Sequence, residues 1–171
     1  MTLKIVAGRD SISIVCTETA APGSGKGRPA LRGLRGLRGV QVVVEDLEPE
    51  IEAAGLTRAA IQTDAEVKLR LAGMTVLSEA EMLNTPGVPY LYINANVLPA
   101  KRLWAFNLDL SLNQGVLLER DARLPGMNAA TWGLGRLGTA PVSDGAARIR
   151  GEIQDLLNIF INAWLTVNPR R

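Results

Sequence analysis

Two stretches of the chain alternate strictly between apolar and polar side chains: Tyr90-Leu91-Tyr92-Ile93-Asn94-Ala95-Asn96-Val97 and Trp104-Ala105-Phe106-Asn107-Leu108-Asp109-Leu110-Ser111-Leu112-Asn113. A period of two places one set of side chains on each side of a pleated strand. Leu91, Ile93, Ala95 and Val97 therefore form one apolar row, and Phe106, Leu108, Leu110 and Leu112 form another. The opposite rows are Tyr, Tyr, Asn, Asn and Asn, Asp, Ser, Asn. With Pro99-Ala100-Lys101 as the turn, this predicts an antiparallel pair with one buried and one wet face.

The pattern upstream changes period. Val40–Leu47 is a β-branched run suited to an interior strand, ended by Glu48-Pro49-Glu50. A helix is expected after Thr57 as N-cap, with Ile61, Ala65, Leu69 and Ala72 as its buried stripe and Gly73 closing it. Met74–Leu77 then reads as a second strand, so strand, helix and strand form a right-handed parallel crossover. Ser78 and Glu81 have capping-box spacing for a short helix to about Leu83. The long strand from about Leu103 to Leu118 allows a bulge at Gln114-Gly115, and Ala129–Leu137 is a fifth, glycine-weakened strand. A last helix from near Ser143-Asp144 to about Val167 carries Ile149, Ile153, Leu156, Leu157, Phe160, Ile161 and Trp164 on one broad face. The order β-α-β-(short α)-β-β-β-α predicts an α/β (α+β) two-layer sandwich. Its mixed five-stranded sheet has two main helices on one face, leaving the polar rows open.

Charge divides the chain. Residues 1–39 carry seven Lys/Arg against two acids, and residues 40–171 carry twelve against fifteen, so the basic character belongs to the first part. Residues 1–39 read as a flexible basic Gly/Pro-rich arm, including Leu-Arg-Gly repeated three times from Leu31 to Gly39, and residues 40–169 as a single α/β domain. A hairpin of Leu3–Val6 with Ser11–Val15 is allowed in the arm, without a feature that sets its register. Neither hydrophobic stretch at the start has signal-peptide form, and no run approaches the ~20 apolar residues of a membrane-spanning helix.

The chain has no histidine and one cysteine, Cys16, which removes Ser-His-Asp chemistry, the commonest metal ligand and any internal disulfide. Gly133-Leu134-Gly135-Arg136-Leu137-Gly138 matches a dinucleotide-binding pattern in letters, but Ala140-Pro141 follows and no βαβ unit surrounds it. It reads as a glycine-rich strand. Pro22–Gly27 lacks the first glycine and the Ser/Thr of a phosphate loop. Glu45, Asp46, Glu48, Glu50 and Glu52 gather past the end of the first strand and read as a solvated acidic loop. No cofactor is expected. The candidate interaction surface is the polar sheet face of Tyr90, Tyr92, Asn94, Asn96, Asn107 and Asp109. Its neutral-to-acidic character suits protein better than nucleic acid.

Segments across residues 34–169 are similar to a family of small, uncharacterised bacterial proteins. These are Leu34-Arg35-Gly36, Val43-Val44-Glu45-Asp46-Leu47, Gly55-Leu56-Thr57, Ile61-Gln62-Thr63-Asp64, Leu69-Arg70 with Ala72-Gly73, Thr85-Pro86-Gly87 with Pro89-Tyr90-Leu91-Tyr92, Thr131-Trp132, Phe160-Ile161-Asn162 and Val167-Asn168-Pro169. Most members resemble exported proteins, so the resemblance implies a periplasmic or envelope setting; it carries no activity and no catalytic residues. The element order is also similar to small envelope-assembly domains. The expectation is a non-enzymatic domain that binds protein. The alternatives are a carboxylate-based enzyme or divalent-metal module using Asp46 and Asp64, and nucleic-acid binding through the basic arm.

Overall fold

The computed structural model describes residues 2–8, 11–17, 29–121, 123–124 and 126–169. Its elements are β1 (Thr2–Gly8), β2 (Ser11–Thr17), α1 (Pro29–Arg32), β3 (Gly39–Val44), α2 (Pro49–Ala53), α3 (Arg58–Leu71), β4 (Thr75–Val76), α4 (Glu79–Leu83), β5 (Tyr90–Pro99), β6 (Leu103–Val116), β7 (Met127–Pro141) and α5 (Gly145–Val167). The five expected strands lie side by side in the order β4-β3-β5-β6-β7, with α3 and α5 packed together on one face. The first three are parallel and the last two pair antiparallel, so the α+β sandwich and its mixed sheet are present as the periodicity implied.

The apolar rows do the packing. Leu91 and Ile93 of β5, Phe106, Leu108, Leu110 and Leu112 of β6, and Trp132 and Leu134 of β7 are buried beneath Ile149, Ile153, Leu156, Leu157 and Phe160 of α5. Burying each such side chain contributes about 1.5–3 kcal/mol. Trp132 meets Phe160 edge to face, with ring centroids 5.1 Å apart. Where β7 crosses Phe106, only Gly138 fits: a Cβ there would lie 2.5 Å from the ring. The three glycines of the dinucleotide-like pattern thus all lie inside β7, away from any strand-to-helix turn. The expected caps are also in place. Thr57 Oγ1 accepts from the Ala60 amide, and Ser78 and Glu81 form a reciprocal capping box. The bulge expected at Gln114-Gly115 of β6 lies instead on β7: the register shifts between Leu112↔Trp132 and Asn113↔Ala130, which leaves Thr131 as the extra residue, while Gln114 and Gly115 pair regularly.

Four features depart from the expectation. First, the hairpin allowed in the arm is present as β1 and β2, but it joins the domain: β2 pairs with β7 and extends the sheet to seven strands. Residues 18–28 of the expected arm lie outside the described residues.

Second, the Leu-Arg-Gly triplets are part of the fold rather than a linker. Leu34 and Leu37 are buried in the core while Arg32, Arg35 and Arg38 face solvent. Gly36 supplies the positive φ (78°) that the turn requires. The end of α5 pins this turn: Asn168 Oδ1 accepts from the Gly36 amide at 2.7 Å, its Nδ2 donates to Leu34 O at 2.8 Å, and Trp164 Nε1 donates to Leu37 O at 2.8 Å.

Third, the acidic segment after β3 folds into a turn of helix, α2, started by Pro49 and anchored by buried Ile51. Glu50 and Glu52 occupy its first turn, where the helix dipole favours carboxylates.

Fourth, the uncovered face is smaller than the whole sheet. The step from β3 to β4 and the return from β4 to β5 run in opposite directions along the sheet. Right-handed crossovers then place α3 and α4 on opposite faces. In agreement, α4 contacts β3, and its Met82 is buried outside the main core cluster. The face that remains open belongs to β5, β6 and β7.

Polar contacts hold α3 against α5. Arg150 grips Asp64 through Nε and Nη2 at 2.5 and 2.7 Å, Gln154 donates to Asp64 at 3.0 Å, and Lys68 donates to Asn158 at 2.9 Å. The guanidinium holds the Asp64 carboxyl below the usual carboxylate range. Because the folded-state value is depressed, this contribution is full above the usual range and fades as pH falls through the lowered value. Asp64→Asn is expected to lower stability by about 1 kcal/mol near neutrality, and by progressively less in acid. Urea unfolding at a series of pH values measures this, and a constant difference across the acid range contradicts it. Asn168→Ala is expected to cost about 1 kcal/mol by removing the acceptor of the Gly36 N–H and one of the two donors to Leu34 C=O, which keeps the Leu37 amide; an unchanged urea midpoint would show that the turn does not depend on that side chain.

Candidate functional site

The winding of the sheet reverses beside β3, since the connections that leave β3 and its parallel neighbour β4 pass over opposite faces. In open α/β sheets, the carboxyl end of such a strand is where crevices form. Here the crevice has a structural cause. β3 pairs with β5 only from Gln41↔Tyr90 to Val44↔Ile93, and a last bond runs from the Glu45 amide to Ile93 O. β5 continues to Pro99, whereas the chain after β3 turns off through Asp46-Leu47-Glu48 into α2. The divergence leaves a cleft of about 410 Å³, lined on one side by Asp46, Leu47, Glu48 and Ile51 and on the other by Ala95–Leu98. Ala105, Phe106, Asn107 and Leu137 complete it.

All six residues expected to form an interaction surface share the open face. Tyr90, Tyr92, Asn94 and Asn96 alternate along β5, and the register sets Asn94 opposite Asp109 and Asn96 opposite Asn107. Asn107 Nδ2 donates to Asp109 Oδ2 at 2.8 Å, and one step further Asn113 donates to Ser111 at 3.0 Å, so the row on β6 is ordered along the strand. Asn96 and Asn107 also line the cleft, which joins the polar face to the end of β3.

Glu45 connects the same two regions, because its carboxylate accepts a hydrogen bond from the Tyr92 hydroxyl. That bond, helped by partial burial, pushes the Tyr92 phenol up to about 12. The cluster of carboxylates past β3 is therefore divided among separate tasks. Glu45 holds Tyr92, Glu52 accepts from the Arg58 amide at 3.1 Å, and Asp46 lies 3.6 Å from Arg58 Nε, which also donates to Val44 O at 2.9 Å. Asp46 and Asp64, paired above as an alternative site, are each held by a different arginine on different parts of the fold. Among the described residues no group of three or more His, Cys, Asp or Glu side chains is placed to hold a metal ion. Nor is any helix among them long and apolar enough to cross a membrane.

The apolar members of the cleft were not anticipated. Leu98 is 71% exposed and Leu137 46% exposed. Each breaks the polar pattern of its row: Leu98 follows Tyr, Tyr, Asn and Asn on the open side of β5, and Leu137 lies across from Asn107. That break in alternation is the signal in the sequence that could have found them. No protein-family model matches the chain, and neither a curated protein nor a solved structure matches it significantly.

The Tyr92–Glu45 contact predicts an unusual titration. In a Tyr90→Phe background, Tyr92 is the one remaining tyrosine, so ultraviolet phenolate absorbance follows it alone. Ionisation is expected near 12, and Glu45→Gln should bring it back toward about 10. The raised value means that the contact's stabilisation is present below the ordinary phenol value and lost as pH rises through the folded one. Ionisation at the ordinary value in the parent protein would show that the contact does not hold in solution.

Proposed function

We propose that this protein is a non-enzymatic binding domain of the bacterial envelope, and that the uncovered face of β5, β6 and β7 with its adjoining cleft is where it holds a protein partner. The observation that carries the reading is the gathering of Tyr90, Tyr92, Asn94, Asn96, Asn107 and Asp109 on one sheet surface that no described element covers, beside exposed Leu98 and Leu137. Amphipathic aromatics, amides and a small apolar patch are the groups that protein contacts favour. The mildly acidic character of the face favours a protein over a nucleic acid.

Support for a binding role also comes from composition, since a chain with no histidine has few means of acid–base catalysis near neutral pH. The envelope setting is supported by the segments between Leu34 and Pro169 that resemble a family of mostly exported proteins.

The test is capture of partners from envelope extracts by the full chain, compared with a Tyr92→Ala/Asn94→Ala double variant, followed by identification of the bound proteins. The double variant is expected to lose most of the specific capture while remaining folded, with a thermal midpoint lowered only by the loss of the Tyr92–Glu45 contact. An identical set of partners at identical yield would reject this face as the contact surface.

A further inference from the structure

β5 is half-paired on its β3 side. Along a β-strand the residues whose backbone groups face one neighbour alternate with those facing the other, in parallel and antiparallel pairs alike. Because Ile93 O accepts from the Glu45 amide on the β3 side, Ala95 and Val97 also direct their N–H and C=O groups toward that side. β3 has ended there, and among the described residues no backbone hydrogen bond joins the Asp46–Glu48 segment to β5. Two donors and two acceptors therefore face into the cleft, with Pro99, which has no N–H, marking the end of the frame.

We propose that this frame accepts an extended, basic segment of a partner protein as an added strand, continuing the line of β3. The inference rests on the protein-binding reading above and names the chemistry of the partner. Strand addition draws affinity from main-chain hydrogen bonds and selectivity from alternate side chains. Both parts are present. On one side of an added strand, Leu47, Ile51 and Val97 offer an apolar wall for aliphatic side chains. At the mouth, Asp46 and Glu48 are exposed, in a segment that places five carboxylates between residues 45 and 52. The Arg58 guanidinium pairs with Asp46 and with no other carboxylate of this segment, so the rim retains negative charge that suits Lys or Arg and repels an acidic peptide or a phosphate backbone.

The occupant is then a peptide in which aliphatic and basic residues alternate. The probe is the blocked peptide Lys-Val-Lys-Val-Lys-Val, added to the full chain and followed by amide hydrogen exchange. Binding is expected to slow exchange at Ala95 and Val97 at least tenfold, and to weaken several-fold as salt rises or when Asp46→Asn and Glu48→Gln are combined. The Glu-Val counterpart and a Lys-Val peptide methylated at alternate backbone nitrogens should bind at least tenfold more weakly to the unaltered protein. Val97→Pro, which removes one donor at the unpaired edge, should do the same. No binding of the probe, binding without protection of Ala95 and Val97, or equal binding of the methylated peptide overturns the strand-addition proposal. None of these outcomes touches the open-face reading, which depends separately on capture by the Tyr92→Ala/Asn94→Ala variant.

Discussion

The burial of one face of α5 against β6 and β7 is the contact on which the rest of the molecule is built. Ile149, Ile153, Leu156, Leu157 and Phe160 cover the longest strands of the sheet, and the same helix then reaches α3 through Arg150 and the Leu34–Gly36 turn through Asn168. Without that helix the apolar rows of β5, β6 and β7 have no cover, and an antiparallel sheet with two wet faces has little to hold it. Charge is admitted to this layer only with a partner. Arg136 interrupts the helix-facing row of β7, and its guanidinium meets Glu152 of α5 with both side chains mostly buried. A buried arginine is costly alone and tolerable when a carboxylate faces it.

The open side follows from the same arrangement. Because α3 and α5 occupy one face, and α4 is a helix of five residues over β3, nothing in the described chain covers β5, β6 and β7 on the other side. The polar rows are what such exposure demands. The cleft has a different origin: β3 pairs with only the first four of the ten residues of β5, which leaves the six from Asn94 to Pro99 without a strand neighbour on that side. A difference in strand length between neighbours thus creates both the cavity and its unpaired backbone.

The layers were legible because they rest on periodicity, which local sequence displays directly. Alternation at Tyr90–Val97 and Trp104–Asn113, the stripe from Ile149 to Trp164, and the caps at Thr57 and Ser78 each correspond to an element in place. The six-residue candidate surface followed from the same alternation. What stayed hidden depends on distant partners. Glycine at every third position argues against a helix, yet Leu34 and Leu37 are buried because Trp164 and Asn168, more than a hundred residues later, close over them. The pairing of β2 with β7 and the opposite placement of α4 likewise depend on neighbours in space. The apolar part of the cleft was concealed because Leu98 and Leu137 belong to strands separated by β6, and only the register brings them to one concavity.

The tie between the Leu34–Gly36 turn and Asn168 has a kinetic consequence. These hydrogen bonds span 132 and 134 positions of the chain, so their loop can close only after everything from Leu34 to Asn168 has been made. During synthesis the turn must wait, solvated, while β3 to β7 and α5 emerge from the ribosome. The final helix therefore acts as a latch, set last, and truncation by even its closing turn leaves the beginning of the domain without its fastening.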